Sequence, residues 1–169
     1  MFEKIIILIN NIINRKNVVG ESNMLNNNLK FCREELELTQ VELGFVFGVS
    51  RTTISNWENE YNIMPLPKLI KFCNLYNFSI DFVVGLLRKN IQYGKFKTSK
   101  KIIGNKLKNI RKKLHLSQQD FFDKCKISQS TYSRYETGKQ LITSTNLYII
   151  CKTYKISMDE ICGREYIDL

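Results

Sequence analysis

At 169 residues and 19.9 kDa the chain can hold one ordinary domain or two small ones. Hydrophobic residues at 43% and aromatics at 11% suffice for a packed core and exclude wholesale disorder, and no run approaches the roughly 18 apolar residues of a membrane span. The net charge of +10 points to a polyanionic partner, nucleic acid or an anionic membrane surface, although the lack of alanine beside abundant Asn, Ile and Lys suggests an AT-rich coding genome and discounts the lysines somewhat.

Residues 1–26 open with MFEKIIILINNIINRK. The apolar run Ile5 to Ile9 is too short for a secretory core, Asn10 and Asn11 interrupt it, and no small-residue cleavage site follows. Three readings stay open: an amphipathic helix packed on the body or on a partner, a loosely ordered tail, or a start codon placed upstream of a true start at Met24.

From residue 27 the pattern is of short helices with strong punctuation. Leu29, Arg33 and Leu36 predict a helix ending near Glu37, and Thr39 to Glu42 is a capping box that opens the next. Gly48 stops that second helix. Ser50 caps a third carrying Ile54 and Trp57, Pro67 suits the first turn of a fourth with Leu69, Ile70, Phe72 and Cys73 facing inward, and Ser79 starts a fifth. RKNIQYGKFKTSK has no strong helical period. The same order then returns: Ser117 to Asp120 as a weaker capping box, Ser128 before Tyr132 and Tyr135, and Ser157 to Glu160 as a capping box for a last helix. Strand-like alternation is scarce, so the predicted class is all-α.

Shifting the sequence by 78 aligns residues 27–85 with 105–163 without a gap, and 17 of the 59 positions are identical. Self-similarity of this length means two copies of one folding unit, and the period is too long for a solenoid. The expected organisation is an N-terminal extension (1–26), domain 1 (27–86), a basic linker (87–101) and domain 2 (102–169).

The five cysteines contain no C-x-x-C pair, and the one histidine, His115, lies at a predicted helix end. Buried structural thiols in a reducing cytoplasm fit them best. No metal site or cofactor is predicted, and no Ser/His/Asp constellation supports an enzyme.

LTQVELGFVFGVSRTTISNWENE and LSQQDFFDKCKISQSTYSRYETG resemble the helix-turn-helix of the phage-repressor and Cro (XRE) family. The likeness includes the leading L-T/S-Q, the V/I-S turn, the S-x-(W/Y)-E close of the third helix and the final Y-x-x-S-x-D-x-x-x-G. It implies two tandem five-helix, lambda-repressor-like domains. It also implies that the third helix of each enters the DNA major groove. By position, Arg51, Thr52, Ser55 and Asn56 would meet base edges in domain 1, and Gln129, Ser130, Ser133 and Arg134 in domain 2. Arg suits guanine, Asn and Gln suit adenine, and Ser or Thr serve several edges. Gln40, Gln118, Asn59, Thr137 and Lys139 would lie against phosphates. The competing reading is a polar cover on a solvent-facing helix. Arg33 with Glu58, and Arg111 with Glu136, match an ion pair of the family that joins the first helix to the third.

Charge is unevenly shared. Residues 27–86 carry five Lys and Arg against seven Asp and Glu, residues 87–101 carry six against none, and residues 102–169 carry twelve against seven. Domain 2 and the linker should therefore bind DNA harder. Domain 1 either adds specificity or serves a protein contact, and it has Glu60 where domain 2 has Gly138. A linker of 15 residues reaches roughly 50 Å at about 3.3–3.6 Å each, against about 34 Å between half-sites one DNA turn apart. The expectation is a cytoplasmic, sequence-specific regulator of double-stranded DNA, a repressor of phage or mobile-element type, with unlike half-sites. The alternative is a protein-interaction or antitoxin-like module. A homodimer or a protein partner met through domain 1 or the N-terminal extension stays open.

Overall fold

Eight of the ten helices among the described residues begin at a Ser or Thr whose hydroxyl accepts an amide of the first turn. The computed structural model describes residues 27–94 and 97–164, so the helix expected within 1–26 lies outside the described residues. The first unit comprises α1 (Leu29–Glu35), α2 (Gln40–Phe47), α3 (Arg51–Glu58), α4 (Leu66–Tyr76) and α5 (Ile80–Val83). The second repeats it as α6 (Lys100–Lys113), α7 (Gln118–Asp123), α8 (Gln129–Glu136), α9 (Ser144–Tyr154) and α10 (Met158–Ile161). None of these helices is long and apolar enough to cross a membrane.

Both expected N-terminal boxes are present. Thr39 accepts Glu42 N while Glu42 accepts Thr39 N, and Ser117 and Asp120 do the same. Two local expectations need correction. The first helix stops at Glu35, because Leu36 is its C-cap and Glu37 turns left-handed at φ 57°. Ser157 caps α10 through Glu160 N without the return bond from Glu160 that would close a box, and its hydroxyl donates to Asp81 of the other unit at 2.5 Å.

The backbone repeats more faithfully than the side chains do. Among the described residues, all ten left-handed positions fall into five pairs 78 apart: Glu37 and His115, Gly48 and Lys126, Glu60 and Gly138, Asn77 and Lys155, Gly85 and Gly163. Non-glycine residues pay steric strain there, on the order of 1–2 kcal/mol, and Glu60 offsets it with a contact: its Oε1 accepts Asn27 N at 2.6 Å. The buried side chains of the two units join in one continuous core cluster. Leu43, Ile54, Trp57, Leu69 and Phe72 are buried in the first, and Leu107, Phe121, Tyr132, Tyr135 and Leu147 in the second. All five cysteines are buried free thiols.

The two units meet at their fifth helices. Asp159 accepts Ile80 N and Asp81 N, both at 3.0 Å, while Asp81 accepts Met158 N at 2.8 Å and the Ser157 hydroxyl. Each carboxylate caps the other unit's helix. Residue i meeting j while j meets i is the signature of a two-fold contact, here folded into one chain. Arg164 Nη1 adds bonds to Asp159 (2.8 Å) and to the Phe78 carbonyl (2.9 Å), and the Ser144 hydroxyl donates to Met64 O at 2.6 Å. The connecting stretch starts pinned, since Asn90 bonds Ser79 N and Asn77 O, and α6 begins at Lys100, inside 87–101.

Candidate nucleic-acid interface

A helix of eight residues presents its outer face through positions spaced three and four apart. In α3 the inner side is held by Ile54 and Trp57, 0% and 4% exposed. That leaves Arg51 and Thr52 exposed and Ser55 and Asn56 half-buried on the other side. In α8, Tyr132 and Tyr135 are the anchors, Gln129, Ser130 and Arg134 are exposed, and Ser133 is half-buried. The structure thus groups the four candidates of each unit on one open helix face. Arg51, Thr52, Gln129, Ser130 and Arg134 stay exposed with both units in place.

A buried ion pair sets the pitch of each third helix. Arg33 Nε meets Glu58 Oε1 at 2.5 Å, its Nη2 meets Oε2 at 3.1 Å, and its Nη1 reaches Leu38 O at 2.7 Å. Arg111, Glu136 and Leu116 repeat this at 2.5, 3.3 and 2.9 Å. With the Glu58 side chain only 1% exposed, truncating either partner would strand a buried charge. Burial pushes Glu136 up, but Arg111, then Gln118 and Tyr132, outweigh it and hold the carboxyl below its ordinary value. The Arg111 guanidinium is raised mainly by its bond to Glu136.

The residues assigned to phosphates divide into two groups. Gln40 and Gln118 are half-buried, and each spends a side-chain N–H on the same carboxylate, Gln40 to Glu58 at 2.8 Å and Gln118 to Glu136. Asn59, Thr137 and Lys139 are exposed. Asn59 donates to Ser55 O and Oγ at 2.8 and 3.1 Å, and the Thr137 hydroxyl donates to Ser133 O at 2.7 Å, which extends each helix face by one turn. Ser133, Arg134, Thr137 and Lys139 share an open depression of about 480 Å³ with Gln140. Sequence reasoning missed Gln140; its place one residue beyond Lys139 was the available signal.

Gly104 explains how α6 lies close enough to brace α8. A Cβ there would stand 2.4 Å from Tyr135 O and 2.8 Å from Glu136 O. Among the described residues no cluster of His, Cys, Asp or Glu could hold a metal ion.

A family profile described as helix-turn-helix matches residues 29–83 and again 107–161. Among curated proteins, the cryptic phage CTXphi transcriptional repressor RstR of Vibrio cholerae is 40% identical over 62 residues, covering 37% of this chain and 55% of the repressor. Antitoxin PezA of Streptococcus pneumoniae is 33% identical over 64 residues, 38% of this chain and 40% of its own. The transcriptional regulator ImmR of Bacillus subtilis is 33% identical over 61 residues, 36% of this chain and 48% of its own. The chain spans about half the length of the curated relatives it matches. No solved structure matches it.

Proposed function

Because the chain belongs to the helix-turn-helix family, which it matches twice, we propose that it is a DNA-binding transcriptional regulator, a repressor, that reads one operator with two unlike heads. The observation that carries this is the paired exposure of the α3 and α8 outer faces, each aimed by its own Arg–Glu pair. Arg51, Thr52, Ser55 and Asn56 contact one half-site. Gln129, Ser130, Ser133 and Arg134 contact the other. Asn59, Thr137 and Lys139 lie along the phosphates, with Gln40 and Gln118 orienting the buried glutamate as well as flanking the backbone. The second unit and the linker supply most of the phosphate neutralisation, and no catalysis is involved. The protein works in the cytoplasm, where the DNA is.

The reciprocal Asp81–Asp159 caps support a two-fold relation between the third helices, as between the halves of a dimer. The half-sites therefore run in inverted order, and the junction rather than linker reach sets their spacing. Selection of bound sites from a random DNA pool tests this. The enriched sites should contain two different half-sites, inverted, and log affinity should fall with log salt at about −0.9 per phosphate contacted. Absence of enrichment, or a salt-insensitive shift, would refute the reading.

A further inference from the structure

The two units carry opposite faces at the same place in their common frame. On α2, Val41 and Phe45 are 61% and 90% exposed, one turn apart on the same side. Their equivalents on α7 are Gln119 and Asp123, polar and also exposed. At the end of α1 stand Glu34, Glu35 and Glu37, whose equivalents are Lys112, Lys113 and His115. Lys30 is a loose partner of Glu34, at 4.0 Å with both ends more than half exposed. The basic end has its own apolar residue, Leu114, 42% exposed at the C-cap of α6. An exposed apolar residue at matched positions in one copy and not the other needs a cause outside the fold, which both copies share.

We propose that the acidic, apolar α1–α2 corner of the first unit docks on the basic α6 end of the second unit of another copy of this chain. Charge complementarity selects this occupant. Corner against corner would set glutamates facing glutamates, and α6 end against α6 end would set lysines facing lysines, so only the unlike faces attract. Both faces are open in the chain because the intrachain junction uses α5 and α10 instead. Phe45 and Val41 cover Leu114 and the lysine stems, and the carboxylates ring the contact. The association does not depend on base reading and is tested without DNA.

Sedimentation velocity of the full chain is the test, at roughly 0.15 M salt, where screening over about 8 Å mutes the net charge and spares contacting pairs. Self-association should rise with concentration and weaken as salt is raised. Phe45→Asp, which installs the residue the second unit already tolerates, should weaken it about tenfold or more while leaving affinity for a single operator unchanged. The E34K/E35K chain and the K112E/K113E chain should each fail to self-associate, and mixing them should restore association. A wild-type chain that stays monomeric to its solubility limit overturns the proposal and leaves the corner to a different protein. Association unaffected by Phe45→Asp, or charge-reversed chains that do not pair, overturns it equally.

Discussion

Truncating Asp159 to Ala should loosen a helix in the other half of the molecule. Asp159 accepts three bonds, from Ile80 N and Asp81 N at 3.0 Å and from Arg164 Nη1 at 2.8 Å. All four residues are buried, Arg164 at 3% exposure and Asp159 at 0%. Each stranded buried donor costs about 1–3 kcal/mol. Removing the carboxylate also relieves its own desolvation, so the net loss should be about 3–5 kcal/mol, a large share of the ~5–15 kcal/mol that holds a domain folded. The single tryptophan, Trp57, sits in the first unit, so its fluorescence during urea unfolding reports damage made 102 residues away in sequence. The Trp57 midpoint should fall, and affinity for a two-half-site operator should drop while affinity for an isolated half-site holds. A Trp57 midpoint that does not move, or a loss under about 1 kcal/mol, would show that the reciprocal caps do not join the units.

Three further outcomes follow from geometry already described. Lys126→Gly should raise stability by about 1 kcal/mol and Gly48→Ala should lower it by about as much, read from urea midpoints, because both sit left-handed at matched positions and a Cβ at Gly48 meets nothing within 4 Å, so backbone strain alone decides. Arg134→Ala should relax base preference at one half-site by about 1–3 kcal/mol in competition shifts; equal weakening of every sequence would make Arg134 a phosphate ligand. Burial pushes both junction carboxyls up, Asp159 to about 6 and Asp81 in the same direction. A raised folded-state pKa means the folded chain binds protons more tightly than the unfolded one. The proton-linked part of the pair's contribution is therefore complete below about pH 4 and fades as pH rises through about 6. Between pH 5 and 7 the wild type should lose melting temperature relative to Asp159→Asn; parallel curves would contradict the assignment.

What was legible in the sequence was what is decided locally. The hydroxyl caps at Thr39, Ser50, Ser79, Ser117, Ser128 and Ser157 bond amides three residues on, so the neighbouring letters suffice to place them. The inward pairs Ile54 with Trp57 and Tyr132 with Tyr135 follow from helical spacing, and the Arg–Glu pairs from the resemblance. Glu60 was less legible: the missing glycine looked like a departure, yet Glu60 takes the same left-handed turn and is held by Asn27, 33 residues away. For Gln40 and Gln118 the resemblance offers a phosphate role at a helix N-terminus, and only the folded chain brings the buried glutamate within reach of their amides. The junction was missed altogether. Two identical aspartates inside apolar segments were the signal, since an aspartate is almost never fully buried without partners. The partners, however, lie 78 and 79 residues away, beyond any local pattern.

The exchange of caps between α5 and α10 binds the history of the two halves together. A tandem duplication is ordinarily reversible, because either half can be lost and the survivor still folds. Here each half ends in a helix whose first amides are satisfied by the other, so deletion of one leaves the remaining copy with bare amides and an unmatched carboxylate at its edge. The outer faces of α3 and α8, proposed to meet DNA, stand outside this exchange and can diverge one letter at a time, while a change at residue 81 or 159 strips a cap from the opposite half.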